Sequence, residues 1–357
     1  MNKKVLLEII GEFCSGTTTH GIPNIYRSKS IYLKLFWLIV TLLSGCICLQ
    51  IIITTTIDYF AYPVITTTEI IKEETTLFPS ISICNLNRFY TEDTRVNSYV
   101  EDIIKNDIVQ GPPNLKSVIL NKIVQSNISK KEPNVRKDFG WTLEKILIFC
   151  KFNNYPCETM IDFEYFFNVI YGNCYKFNWN STNLKSVGKA GAISALRLEI
   201  YIGNSSKDEF LTENRGLRVL IHNHTTENLY PDDDGIDVPP GKKTNIGITR
   251  EFYEKLSQPY SDCIEDLSLT NYGNGWLYEK IKMLNQTQYS SSFCEKMYYQ
   301  KLVESTCNCS DASIKQINDG YDMCFNSESV ICQETQYQFF YSNPSKYIGN
   351  ACPKGIN

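Results

Sequence analysis

Histidine is nearly absent from this chain: three in 357 residues, at His20, His222 and His224. That scarcity, with no nucleophile elbow, phosphate loop or zinc-protease helix, leaves enzymatic chemistry without its usual groups. His222 and His224, two apart on an expected strand, would point both rings to one face, half of a metal site. No cysteine or carboxylate with ligand spacing completes it, so neither a metal nor a cofactor is expected. Strong charge is missing too: the formal net charge is −4 and no basic cluster stands out, which argues against a nucleic-acid partner. There is no internal repeat and no low-complexity tract, and the Asp232 to Asp234 run reads as a solvated turn. A second long apolar run is also lacking, since "KILIFC" and "YFFNVIYG" are far too short to span a bilayer.

Cysteine and one apolar segment are what the chain has instead. Of 14 cysteines, eleven lie beyond residue 80, which fits an oxidised, extracellular domain stapled by disulfides. Eleven is odd, so one is unpaired or lacks its partner. Residues 35–57, "LFWLIVTLLSGCICLQIIITTTI", reach about 35 Å as a helix, enough to cross a hydrocarbon core. Thirteen of them are Leu, Ile, Phe or Val. A cleaved signal peptide would need a shorter apolar core nearer the N-terminus and a small-residue cleavage site. Lys3, Lys4, Arg27, Lys29 and Lys34 precede the segment, whereas Asp58, Glu69, Glu73 and Glu74 follow it. The positive-inside bias places residues 1–34 in the cytosol and everything after residue 58 outside, where the cysteines belong.

Beyond the span, patterning suggests a mixed α/β domain. Residues 59–90 read as extended chain, with "YFAYPVITTTEII" and "LFPSISICNL" rich in β-branched and aromatic residues. "NSYVEDIIKNDIVQ" and "WTLEKILIFC" are expected to be helical. "CYKFNW", "LRLEIYIG", "LRVLIHN" and "TNIGITR" alternate like strands, and residues 291–306 have helical spacing. Acceptor sequons for N-glycans stand at Asn127, Asn180, Asn204, Asn223 and Asn285; a sixth, Asn308, sits between two cysteines and is the poorest candidate.

Several motifs occur in a telling order: His20-Gly21 ahead of the span, "FPSISICNLN" after it, "YGNCYKFN" at 171–178, and "CNC" at 307–309. "GLRVLIHN", "VPPGKKTNIGIT" and "QPYSDC" fall between the last two. In this combination the chain closely resembles the degenerin, epithelial sodium channel and acid-sensing ion channel family, from about residue 13 to 352. The resemblance implies a trimeric, sodium-preferring, amiloride-sensitive type of channel at the plasma membrane. Its partners would be membrane lipid, other subunits of the family and an extracellular ligand. It implies a cytosolic N-terminus (1–34), a first transmembrane helix (35–57), and a wrist with the first palm strands (58–90). A finger-like region (91–173), palm and β-ball strands (174–262) and a truncated thumb-like region (263–357) would follow.

The same resemblance implies pairings and roles. Cys84 would bond Cys174, Cys150 Cys157, Cys294 Cys352, Cys307 Cys332 and Cys309 Cys324. A further family bridge would fall at Tyr298 and Asn350, where both cysteines are missing together. Cys263 is left unpaired, because its expected partner falls where Ile356 stands. The last palm strand and the second, pore-lining span with its Gly-x-Ser filter are expected to be missing from these 357 residues. His20-Gly21 matches the family's gating pair, in a re-entrant segment where glycine would allow close backbone approach and positive φ. Tyr62 and Tyr260 match an aromatic pair that couples the first span to the thumb base; plain core packing is the alternative for either ring. The carboxylate pair of acid-sensing members is Thr225-Thr226 here, and Gln338 replaces a thumb carboxylate near Glu334. Proton sensing is therefore not expected. Two other readings stay open: a shortened, non-conducting subunit that modulates complete ones, and a single-pass receptor or adhesion ectodomain.

Overall fold

A computed structural model of the chain describes residues 3–18, 21–70, 74–106, 113–203, 214–224, 235–251, 256, 259–261, 276, 279–280, 291–314, 320–349 and 351–352. The chain divides into two compact units, Met1–Glu69 and Ile70–Asn357.

The first unit is helical: α1 (Lys3–Gly16), α2 (Ile22–Arg27) and α3 (Ile31–Phe60). The 30 residues of α3 are about 45 Å long, so the helix extends the expected span at both ends. Among the described residues it is the one helix long and apolar enough to cross a membrane, and its apolar window is not buried by protein. Its end has a clear cause. Ala61 still bonds back to Ile57, Tyr62 turns into the left-handed region at φ 46°, and Pro63 cannot continue the helix. Residues 63–70, expected to be extended, carry no strand; β-branched composition makes one only where a neighbouring strand can pair.

The second unit opens with β1 (Thr76–Leu77) and β2 (Ser80–Asn85), then α4 (Thr94–Asn106), α5 (Pro113–Ser129), α6 (Pro133–Phe139) and α7 (Leu143–Ile146). Next come β3 (Leu147–Phe152), β4 (Tyr155–Pro156), α8 (Thr159–Asp162), β5 (Phe163–Asn168), β6 (Gly172–Phe177), β7 (Ser186–Val187), β8 (Leu196–Ile200), β9 (Leu217–His222) and β10 (Ile236–Val238). Three helices close it: α9 (Ser291–Cys307), α10 (Ser327–Ser342) and α11 (Pro344–Ile348).

Two sequence expectations fail here. "WTLEKILIFC" is helical only over α7; from Leu147 it becomes β3, which pairs with β8 and turns back through Cys150–Cys157. Its apolar run fits helix and strand equally, and the partner strand decides. "TNIGITR" (244–250) carries no strand. The fold is nonetheless mixed α/β, as expected.

The main sheet runs β10-β9-β2-β6-β5, with every pair antiparallel. It takes in residues on both sides of the expected boundary at 173–174. β2 lies at its centre with both faces buried. Ile81 and Ile83 face one core, with Phe163, Tyr175, Phe177 and Val219; the smaller β4-β3-β8 sheet contributes Phe152 to it. Cys84 faces a second core, with Tyr171, Cys174 and Leu220. A one-residue slip would exchange these two sets, so the register must be firmly held. Cys84 stands directly opposite Cys174 and is bonded to it, with Cα atoms 4.4 Å apart, the spacing of a non-hydrogen-bonded antiparallel pair.

Ser82 and His222 on the second face are satisfied locally. His222 Nδ1 lies 2.8 Å from the Asn223 carbonyl, which can only accept, so Nδ1 carries the proton. Nε2 therefore accepts from the Ser82 hydroxyl at 2.8 Å. Burial, with the positive charge of Lys176 nearby, pushes the His222 pKa down to about 4, against the pull of the Asn223 bond. The unfolded chain takes up this proton near the ordinary value of 6.5 while the folded one does not. This histidine's contribution to stability is thus complete above that pH and is lost as pH falls towards about 4. Thermal unfolding of the detergent-solubilised chain should show a midpoint that declines over this window and a shallower decline in His222→Gln. An unchanged slope in the variant would refute the assignment.

Candidate functional site: the N-terminal segment and the α5–α10 junction

Within the first unit, α2 lies against α3 along one stripe. Lys34, Trp37 and Thr41 are the only positions of α3 that are partly covered, and their spacing puts them on one helix face. Gly21, the N-cap of α2, reaches furthest along it: a Cβ built on Gly21 would overlap Thr41 Oγ1 and lie 2.9 Å from Thr41 Cβ and Cγ2. Gly21 has φ −87° and ψ −35°, ordinary right-handed geometry. The expected positive φ is therefore absent, and glycine is needed here for close approach alone. Thr41 lies ten residues beyond Ile31, so the contact is about 15 Å along the helix axis. His20 falls outside the described residues. α1 folds back on α2, with Gly11 against the Tyr26 hydroxyl and Arg27 Nη2 donating to the Ser15 carbonyl at 2.6 Å.

Tyr62 and Tyr260 belong to different units. The Tyr62 ring lies 6.4 Å from that of Tyr59, and Tyr260 is 46% exposed in a turn. A bulky side chain in the left-handed region is uncommon, and Tyr62 adopts it where α3 ends.

Among the described residues of the second unit there are five disulfides: Cys84–Cys174, Cys150–Cys157, Cys294–Cys352, Cys307–Cys332 and Cys309–Cys324. These are the pairs that the family resemblance implies. Tyr298, at the position of the missing bridge, packs edge-on against Trp276 at 5.2 Å. Cys263, Asn350 and Thr225-Thr226 lie outside the described residues, as do Asn204 and Asn285.

Three of the described glycan acceptors, leaving aside Asn308, differ in their surroundings. Asn127 is on α5, and its amide nitrogen donates to the carbonyls of Ile123 (2.8 Å) and Phe325 (3.1 Å). Asn180 is in a turn after β6, its Oδ1 accepting from Thr182 N and Oγ1. Asn223 is exposed just after β9.

Beneath the last three bridges, α9, α10 and α11 share a core with α5 that includes Phe293, Met297, Tyr299, Val330 and Phe340. Tyr299 donates to Asp311 Oδ2 at 3.0 Å, and burial beside that carboxylate raises its pKa well above the ordinary phenol value. Lys122 of α5 meets Glu334 of α10 at 2.6 Å and lies 5.4 Å from the Tyr337 ring centre. Burial works against the Lys122 ammonium, but the charges of Asp311 and Glu334 outweigh it, and its pKa is raised. The stability it brings is full below the ordinary 10.5 and is lost only as pH rises through the higher folded value. Glu334, matched by resemblance to a thumb carboxylate, thus pairs with a cation.

Sequence reasoning missed Lys122, which is 212 residues from its partner. It also passed over α10, whose signal was present: Asn326 caps the helix and Ser329 returns the bond to the cap. Thr41 looked like one more residue of an apolar run.

One unit holds a long unburied apolar helix with a segment folded back onto it, the other is a disulfide-stapled α/β unit, and both features fit the class of membrane-anchored proteins. More specifically, the chain belongs to the amiloride-sensitive sodium channel family, whose sequence model matches residues 13–354. The alpha subunit of the Xenopus laevis epithelial sodium channel is 33% identical over 186 residues, 51% of this chain and 28% of that protein. Degenerin mec-10 of Caenorhabditis elegans is 31% identical over 187 residues, 52% of this chain and 24% of that protein. The bile acid-sensitive ion channel of Rattus norvegicus is 27% identical over 314 residues, 84% of this chain and 59% of that protein. The chain therefore covers less than two thirds of each of these relatives.

Removing one partner of the Lys122–Glu334 pair leaves the other half-buried and uncompensated. Lys122→Met should lower the unfolding free energy by about 1.5–3 kcal/mol in denaturant titration. Lys122→Met with Glu334→Leu should lose less than Lys122→Met alone. A double variant no more stable than the single one would show that the pairing is not what holds this junction.

Proposed function

We propose that the chain is a subunit of a trimeric, sodium-selective, amiloride-sensitive channel of the plasma membrane. Residues before α3 are cytosolic, and the Ile70–Asn357 unit is extracellular. The observation that carries this reading is the family match over residues 13–354, which takes in both the N-terminal segment and the disulfide-stapled unit. Lysine and arginine before α3 and carboxylates after it support the orientation.

The protein does no covalent chemistry in this reading. Motion of the extracellular unit passes to α3 through Tyr62 and Tyr260, and α3 carries the His20-Gly21 segment at membrane depth. Non-helical backbone there is tolerated because it lines a water-filled path for sodium. An extracellular ligand is the proposed stimulus. Relatives named as the FMRFamide-activated sodium channel of Cornu aspersum and the bile acid-sensitive channel of the rat support that class of trigger. The finger-like region around α4 and α5 and the thumb-like region around α9 and α10 are joined by Lys122–Glu334. A cation in that junction supports a stimulus other than protons.

The test is voltage-clamp recording in oocytes, with the chain expressed alone and together with a complete subunit of the family, alongside co-purification from the membrane. A sodium current blocked by amiloride, or a change in the partner's current with stable co-purification, is expected. No current alone, no change in the partner's current and no co-purification would reject the reading.

A further inference from the structure

We propose that Thr41 is the positioning residue for Gly21: its side chain is the seat that holds the N-terminal end of α2 against α3. Two independent observations carry this. The first is volume. Gly21 has a backbone conformation that any residue adopts, yet a Cβ there would collide with Thr41 Oγ1 and press on Thr41 Cβ and Cγ2. What the site demands of residue 21 is therefore the absence of a side chain, and Thr41 is what imposes that demand.

The second is the covered stripe of α3. Lys34, Trp37 and Thr41 are its only partly covered positions, and Thr41 ends the stripe on the side away from Ile31. The Thr41 hydroxyl donates to the Trp37 carbonyl at 2.7 Å. That bond holds a β-branched side chain, already limited in χ1, in one rotamer. The seat is consequently rigid, and it is tied to the next residue of the same stripe. A shift of α3 carries Thr41 with it, and the segment resting on Thr41 must follow or lose its contact. The functional weight of this contact rests on the gating reading; the contact itself does not.

The first experiment needs no current. In the full chain, with Cys14, Cys46 and Cys48 changed to Ser, Gly21→Cys and Thr41→Cys are combined and oxidised in native membranes. Linked peptides are then counted by mass spectrometry. The reference combines Gly21→Cys with Leu43→Cys, on another face of α3, and carries Thr41→Ala to make room. Linkage to position 41 should exceed linkage to position 43 by about tenfold, since only position 41 faces residue 21, and the Cβ atoms, 2.9 Å apart as built, need separate only slightly to reach disulfide spacing. Equal linkage, or none at 41 in a chain that inserts normally, overturns the proposal.

The second experiment is volume exchange in the co-expressed channel. Gly21→Ala should reduce the amiloride-blocked current, Thr41→Ala in that background should restore part of it, and Thr41→Gly should restore more. Preferential linkage without any rescue means that Thr41 touches Gly21 but does not position it, which also overturns the proposal. Preferential linkage with no amiloride-sensitive effect even from the parent chain would instead remove the gating reading and leave the contact standing.

Discussion

The bond between Cys84 and Cys174 fixes which face of β2 meets which core, and the larger unit is arranged around that choice. β2 is central and buried on both sides, so its alternating residues serve two cores at once. With Cys84 set opposite Cys174, Ile81 and Ile83 meet the aromatic core and Ser82 meets His222 on the other face. The turn before β6 fits the same arrangement. Asn168 Oδ1 accepts from the N–H groups of Ile170 and Tyr171, and Gly172 takes φ +71° close to the Arg88 carbonyl. From this sheet the chain continues into helices whose disulfides tie α9 to the segments after it.

The helical unit is governed by a smaller contact of the same kind, in which a position is set by the space available to it. Glycine at 21 is a statement about Thr41, and the pair shows how a segment outside a helix can be held part-way along it. In the family reading this is how an N-terminal tail reaches membrane depth without a span of its own. At the far end of α3, Tyr62 and Pro63 stop the helix, so the covered stripe and the helix terminus lie at opposite ends of one rigid rod.

Much of this was legible because it depends on local pattern or on motif order. The apolar run announced α3, and the "CYKFNW" and "LRVLIHN" alternation announced β6 and β9. The cysteine pairs followed from the family resemblance. What was hidden depended on distant partners. "LIFC" became a strand because β8 lay beside it, and "TNIGITR" alternates without forming one. The Lys122–Glu334 pair joins residues whose separation leaves no trace in either neighbourhood. At Gly21 the motif and its close approach were visible, the expected positive φ was not needed, and only the neighbour across the packing shows what the glycine makes room for.

The central claim is a channel subunit with its N-terminal segment inside and its disulfide-stapled unit outside. The most direct measurement is topology mapping of the full chain in cell membranes, using an N-terminal epitope tag and glycosidase treatment. The account predicts a tag reached only after permeabilisation and a glycosidase-sensitive mass shift to which Asn180, but not Asn127, contributes. A tag accessible from outside, with the Ile70–Asn357 unit digested only after permeabilisation and carrying no glycan, would contradict it.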